Sequence, residues 1–452
     1  GSGGTIQNTS GDGVRIATAQ NASLQFLNLT NIAAGVNNAA ICHSADATGC
    51  ESGVDLSNVT GVTLNRIVIN GAGQVGVSAD GVSGLTITNS QVLNVGNADA
   101  ESGMIFENLG GTSLVQDVLI DNPEEFGVKV YHSAGTMGLT LRRVTVQNNI
   151  GTFGEAGFQA EVQGGTATVL VDDSDFLNTD GTGVFGTASG VTGGVLNLTV
   201  QNSTFSGNLA LPSGINFTTG GSAVGRITAT GNTISGCPSA ATCSQGMDLD
   251  ASISSTLDAT ILNNTISDAG IGTGIEFISN ENAVARGRFA GNNVTVRADK
   301  IGFNFHSRSV GSTQSGSLDL TLGTNTISGI TSAAAAYGGM TFQVGSSGAL
   351  VHNNSMCVNL ATAHSAGSNV INGTNNPPLL YAYTVRQRPS TVFKFQGYTG
   401  AASSPTALEA FITANNPGGT MGGSAEVYDA SASTAVNYTG GTCATPTTAT
   451  LP

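Results

Sequence analysis

Apolar and polar positions alternate over short stretches of this chain, and each stretch begins at a glycine. The pattern is Gly-apolar-outward-apolar, as in Gly53-Val54-Asp55-Leu56, Gly127-Val128-Lys129-Val130, Gly214-Ile215-Asn216-Phe217, Gly246-Met247-Asp248-Leu249, Gly274-Ile275-Glu276-Phe277 and Gly302-Phe303-Asn304-Phe305. Looser copies begin at Gly13, Gly76, Gly103, Gly157, Gly183 and Gly339, twelve in all, with successive starts 23 to 40 residues apart. A period in that range marks a solenoid. Strict alternation puts the two apolar side chains on one face of a strand and the residue between them on the other.

A second phrase follows about half a period later: Asn202-Ser203-Thr204-Phe205, Asn232-Thr233-Ile234, Asn264-Thr265-Ile266, Asn325-Thr326-Ile327 and Asn354-Ser355-Met356. Alternating stretches such as Leu196-Asn197-Leu198-Thr199-Val200 and Leu318-Asp319-Leu320-Thr321-Leu322 precede several copies. Each period therefore predicts a Gly-led strand, an alternating strand, an Asn-led corner and a short apolar strand. Helical spacing is absent from these periods. Asn suits a corner because it tolerates the left-handed region and hydrogen-bonds nearby backbone. Strands this short bury a core only by stacking coil on coil, which predicts an all-β parallel β-helix of about twelve coils, right-handed by the crossover rule. A β-propeller is the rival, but its blades repeat more evenly and its commonest family carries Trp signatures. This chain has no Trp, and its period drifts.

Charge narrows the partners. With 14 Lys and Arg against 29 Asp and Glu, the net charge of −15 argues against nucleic acid and anionic membranes. No stretch of about 18 apolar residues occurs, so no membrane insertion is expected within this chain. Gly1-Ser2-Gly3-Gly4 shows no basic segment followed by an apolar one, so a signal peptide is expected to have been processed away or cut off. Cys42 and Cys50 bracket one short loop and Cys237 and Cys243 another, each just before a Gly-led strand. Disulfides Cys42–Cys50 and Cys237–Cys243 are expected, leaving Cys357 to pair with Cys443. A metal site is not, because only His43 lies near either pair. An even count placed in loops indicates an exported protein.

Composition shifts near Asn375-Asn376-Pro377-Pro378, where the Gly-led phrase stops. The chain is accordingly divided into a β-helix over residues 1–375 and a C-terminal cap or linker over residues 376–452. Ser404-Pro405 opens a short helix with Leu408, Phe411 and Ile412 on one face, closed by Asn415-Asn416-Pro417-Gly418. Such a segment covers the open strand edges of a solenoid or tethers it to a further domain. The Thr-, Ala- and Pro-rich stretch from Gly440 to Pro452 is read as linker.

The Gly-led coils and Asn-Thr-apolar corners resemble the parallel β-helix repeats of large exported bacterial surface proteins, adhesins among them, over about residues 5–375. Val385-Arg386-Gln387-Arg388 and Phe395-Gln396-Gly397-Tyr398 are similar to tails of such proteins. The resemblance implies a bacterial protein, extracellular or at the cell surface. Pectin-degrading enzymes and phage tailspikes share the fold, but the Gly-His-Gly, Arg-Ile-Lys and Arg-x-Pro-x-x-Arg motifs of the pectinases are absent.

Stacking the coils brings outward residues into columns. Asp248, Asp250 and Glu276 meet on one face, with His306 and Arg308 about two coils from Asp248. Carboxylates on adjacent coils stand roughly 5 Å apart at the backbone, near the separation in retaining glycosidases. If the chain is an enzyme, Asp248, Asp250 and Glu276 carry the acid–base work and His306 and Arg308 hold substrate. If not, they form a solvated acidic face. Asp172, Asp173 and Asp175 resemble calcium ligands, but the Gly-Gly-x-Gly-x-Asp repeat is missing and Asp175-Phe176 matches the corner position of Thr204-Phe205. The glycines form no phosphate loop. Triplets such as Asn202-Ser203-Thr204, which fit glycosylation acceptors, follow from corner chemistry. No cofactor is implied. The expectation is a secreted or cell-surface adhesive or structural protein that binds glycans or other surface proteins through its side face. A polysaccharide-active hydrolase or lyase is the alternative.

Overall fold

The structure is a computed structural model, and it describes residues 3–35, 50–98, 101–149, 156–190, 193–207, 213–235, 245–269, 273–297, 300–309, 314–330, 338–346, 353–360, 368–374, 381–388, 390–429 and 438–452. The chain forms two compact units, Gly1–Asn216 with Ala449–Pro452, and Phe217–Thr448. Both are parallel β-solenoids, as the alternation predicts.

In the first unit the Gly-led strands Val14–Ala17, Ser52–Ser57, Val75–Asp80, Met104–Glu107, Val128–His132, Phe158–Val162 and Val184–Ala188 pair in parallel in chain order. A second ladder runs through Gln20–Gln25, Thr60–Asn65, Ser83–Thr88, Gly111–Pro123, Thr136–Gln147, Thr166–Asp172 and Val195–Gln201. A third set of short strands closes each coil, from Thr5–Gln7 to Thr204–Ser206. Two coils fuse their second and third strands into Gly111–Pro123 and Thr136–Gln147, which bend at Asp117 and Arg143 with φ of +54° and +51°.

The second unit repeats the plan. Gln245–Ala251, Thr273–Asn280, Ile301–Arg308 and Met340–Val344 continue in parallel through Tyr383–Gln387 to Ala425–Asp429. Parallel pairing thus persists beyond residue 375, where the glycine phrase has stopped. Val392–Phe395 and Tyr438–Gly440 extend the second ladder in the same way. The predicted helix runs from Pro405 to Asn415, with Ser404 as N-cap, Leu408 and Ile412 buried, and Phe411 edge-on to Phe395 and Tyr398.

Space explains the phrase glycines. A Cβ on Gly302 would lie 2.5 Å from both the Gly339 carbonyl oxygen and Ile327 Cγ2, and Gly246 and Gly274 meet their successors in the same way. The apolar positions fill the interior. Phe277, Phe305 and Phe342 are fully buried and in register, and Phe305 stacks on Phe342 at 5.5 Å. Phe289 fits between Phe277 and Phe305, at 5.6 Å and 5.1 Å from them, so the column is part stack and part edge-to-face cluster.

The corners use two adjacent positions for two different purposes. Asn202 adopts φ of +53°, and so, at equivalent places, do Asp173, Gly231, Asn263, Gly291 and Thr324 adopt positive φ. The next residue turns inward and binds along the stack. In the first unit it is Ser174 or Ser203, with Ser203 Oγ accepting from the Ser174 amide at 3.2 Å. In the second it is Asn232, Asn264, Asn292, Asn325 and Asn369, ending on Asn416, the residue that caps the helix C-terminus. Asn202 and Asn232 therefore have different jobs, one conformational and one a buried rung. Asn354 belongs to neither set, because Ser355–Leu360 lies in the alternating ladder beside Ser317–Gly323. The rung of that coil is Asn369.

The Cys357–Cys443 disulfide forms as expected, closing a separation of 86 residues. Cys50 is disulfide-bonded. Cys42, Cys237 and Cys243 lie outside the described residues.

Asn292 donates to Ile261 O and Asn325 Oδ1 and accepts from the Asn264 amide and side chain, all within 3.1 Å. Asn292→Ala is expected to destabilise the chain by roughly 1–3 kcal/mol for each buried group left unpaired. Asn293→Ala, at the exposed neighbouring position, should stay within about 0.5 kcal/mol of wild type. Phe305→Ala should cost roughly 3–5 kcal/mol. Urea unfolding of the three variants checks the ranking. Equal effects at Asn292 and Asn293 would refute the rung.

Candidate functional site

The outward residues of the Gly-led ladder stack as the alternation requires. Asp248 opposes Glu276, and Glu276 opposes Asn304. Two residues on, Asp250 opposes Ile278, which opposes His306, and Asn280 opposes Arg308. Asp248 and Glu276 are therefore direct neighbours, about 4.8 Å apart at the backbone. Asp250 sits beside Ile278, so the three carboxylates form a triangle over two coils. His306 lies two coils from Asp250, and Arg308 reaches back toward it through Asn280.

Side-chain hydrogen bonds tie these columns together. Glu276 accepts from Gln245 Nε2 on one oxygen and from Asn304 Nδ2 on the other, both at 2.6 Å. Asn280 Nδ2 donates to Asp250 Oδ1, and Arg308 Nε donates to Asn280 Oδ1. His306 Nε2 lies 3.2 Å from the Gly345 carbonyl oxygen. Gln245, Asn280, Asn304 and Gly345 are thus part of the same surface, although none carries a charge to attract notice in the sequence. Arg386 joins the column of His306 through Gln343. The alternation Tyr383-Thr384-Val385-Arg386 carries it, although Ala382 stands where earlier coils have the phrase glycine.

Burial is the chief influence on proton affinity here. It raises Asp248 to about 7, and the neighbouring Glu276 and Asp250 charges push the same way against Arg308. It raises Asp250 to about 6, against the Arg308 charge and the Asn280 hydrogen bond. His306 moves in the opposite sense, to about 4, because burial and the charges of Arg308, Arg386 and Arg388 disfavour its protonation despite the Gly345 contact. An acid that keeps its proton near neutrality beside a second carboxylate has the ingredients of proton transfer. The hydrogen bonds on both Glu276 oxygens equally suit a fixed polar surface.

The other acidic candidates are accounted for structurally. Asp172 is held by Arg142, Gln201 and Asn202. Asp173 takes positive φ, and Asp175-Phe176 pairs with Thr204-Phe205 as anticipated. Among the described residues no group of three or more His, Cys, Asp and Glu is placed to hold a metal ion. No helix among them is long and apolar enough to cross a membrane. A different outward column, on the second ladder, reads Arg226, Asp258, Arg286, Asp319, Cys357 and Lys394. Its core is the two-pronged Arg286–Asp258 ion pair, and its edge is covered by the Cys443–Ala444 backbone, with Ala444 N–H on Asp319 at 2.8 Å. Compared with protein-family models, curated proteins and solved structures, the chain matches none.

The proton affinities set a pH dependence with a definite sign. Unfolded, Asp248 and Asp250 release protons near 3.8, whereas the folded chain holds them to about 7 and about 6. Stability should therefore fall as pH rises from about 4 to about 7 and level off above. His306 acts oppositely: below 6.5 the unfolded ring gains a proton that the folded one refuses until about 4, so stability is lost as pH falls through that window. Asp248→Asn should remove part of the first loss, and His306→Gln should remove the second. Chemical denaturation at a series of pH values checks both, and an unchanged slope in Asp248→Asn would contradict the assignment.

Proposed function

We propose that this is a secreted or cell-surface binding protein that engages glycans or protein partners through the outward face of its Gly-led ladder. The observation that carries the reading is the cross-coil network Gln245–Glu276–Asn304 together with Asp250–Asn280–Arg308. Polar side chains locked to one another at the coil spacing need little further ordering when a ligand arrives, and ordering is a main cost of recognition. The Cys357–Cys443 disulfide supports an oxidising compartment outside the cytosol. The likeness to repeats of exported bacterial surface proteins points the same way.

One observation favours a second reading. Asp248, with its proton held to about 7, stands directly opposite Glu276, which is the pairing a glycoside hydrolase needs for acid and nucleophile or base. A hydrolase must cleave as well as bind. A glycan array combined with a reducing-end release assay separates the two. Binding without release is expected, and the Asp248→Asn, Glu276→Gln double variant, which breaks the Gln245–Glu276–Asn304 network, should lose attachment, whereas Asp248→Asn alone should retain it within about threefold. Release of reducing ends by the wild type and not by the double variant would replace the binding reading with the hydrolase.

A further inference from the structure

Charge on the outward face of the second unit changes sign along the stack from Asp248 to Arg388, before Glu426 on the last coil. Asp248, Asp250 and Glu276 occupy two adjacent coils, and the coils that follow carry His306 with Arg308, then Gln343, then Arg386 with Arg388. In a chain with 14 Lys and Arg against 29 Asp and Glu, three arginines collected this closely run against the overall charge.

Local backbone geometry shapes the space between them. Ser307 opposes Val344 and Val344 opposes Gln387, which places Arg308, Gly345 and Arg388 level with one another. The amide of Gly345 donates to Ser307 O, and that of Arg388 donates to Val344 O. Gly345 has φ of +86°, and a Cβ there would lie 2.6 Å from Arg388 Cβ, so the position is held to glycine twice over. No side chain therefore separates the stems of Arg308 and Arg388. The Gly345 carbonyl is approached by His306 Nε2 at 3.2 Å and Gln343 Nε2 at 3.4 Å, which keeps both side chains beside the gap. Arg308, Arg386 and Arg388 are half-buried, each keeping part of its surface in solvent.

We propose that His306, Gln343, Arg308, Arg386 and Arg388 form an anion subsite that takes the carboxylate or sulfate group of an acidic polysaccharide lying along this face. Guanidinium forks match the planar oxygens of such groups two at a time, which a lysine ammonium does not. A polysaccharide fits better than a small anion because the face is a track: the same register continues to Asn304 and Glu276, whose amide and carboxylate suit neutral sugar hydroxyls. The inference rests on the glycan reading of this face and adds the charge of the glycan.

Binding of the whole chain to immobilised polygalacturonate, dextran sulfate and neutral dextran tests it, with poly-glutamate as the acidic-peptide comparison. Retention on polygalacturonate or dextran sulfate is expected to exceed that on dextran at least tenfold, and whichever of the two binds identifies the anionic group. Arg386→Gln and Arg388→Gln, made singly, should each weaken that binding at least fivefold, while Lys129→Gln on the first unit should not. Arg388→Lys keeps the charge and the packing of the stem, so a comparable loss there shows that the fork is read, even if a glutamine variant unfolds. Equal binding of wild type and arginine variants, or poly-glutamate binding as tightly as the acidic glycans, would overturn the subsite. Binding to dextran alone would overturn it and leave the glycan reading standing. Binding to no glycan would remove both.

Discussion

Buried amides in register hold the second unit to its coil spacing. Each asparagine rung donates to the rung of the next coil and to a backbone carbonyl of the previous one, and accepts in return from the preceding amide and side chain. A buried polar group without partners is costly, so the rungs stabilise only as a complete set. The ladder therefore does more than fill a corner. It matches coil to coil, as do the outward columns on the Gly-led strands of the same coils. Asp248 faces Glu276, and His306 aligns with Gln343 and Arg386, in the same coil order that Asn264, Asn292, Asn325 and Asn369 follow. The ladder ends on Asn416, where the helix C-terminus supplies the final acceptor.

The side face inherits both rigidity and polarity from this arrangement. Glu276 and Asp250 are paired with amides rather than with cations, and the arginines lie on the later coils. Arg308 stands between the groups, bonded to Asn280 on one side and level with Gly345 on the other. Burial in this setting moves Asp248 and His306 in opposite directions, so near pH 7 His306 is neutral and Asp248 keeps its proton about half the time while the arginines remain charged. Near neutrality the face thus carries fewer charges than the composition implies.

Much of this was legible in the residues. The glycine phrase alone placed Asp248 opposite Glu276 and aligned Phe277 with Phe305 and Phe342, because period-two alternation leaves no freedom once the starts are matched. The corners were less transparent. Asn serves there in two adjacent positions, once for positive φ and once as a rung, and Gly, Thr or Asp substitutes at the first and Ser at the second. Matching Asn202 to Asn232 was therefore off by one residue. The last two coils escaped notice because Ala382 and Ser424 occupy the places that glycine fills earlier, while the alternation Tyr383-Thr384-Val385-Arg386-Gln387 survives. Arg386 and Arg388 lay in that blind stretch. Packing against Phe289 was invisible for another reason: it comes from a strand of a different ladder, and no periodicity within the Gly-led strands reports on it.

Spacing along the chain between successive rungs is 32, 28, 33, 44 and 47 residues, yet the side-chain hydrogen bonds between them stay within 2.9–3.1 Å. The geometry of a coil is thus indifferent to how much chain is spent between its corners. Duplication or loss of one whole coil leaves donors matched to acceptors, whereas loss of a single residue inside a strand turns every following side chain to the wrong face. Such a gene can lengthen by copying coils and diversify by enlarging loops, and neither change disturbs the frame that carries the side face.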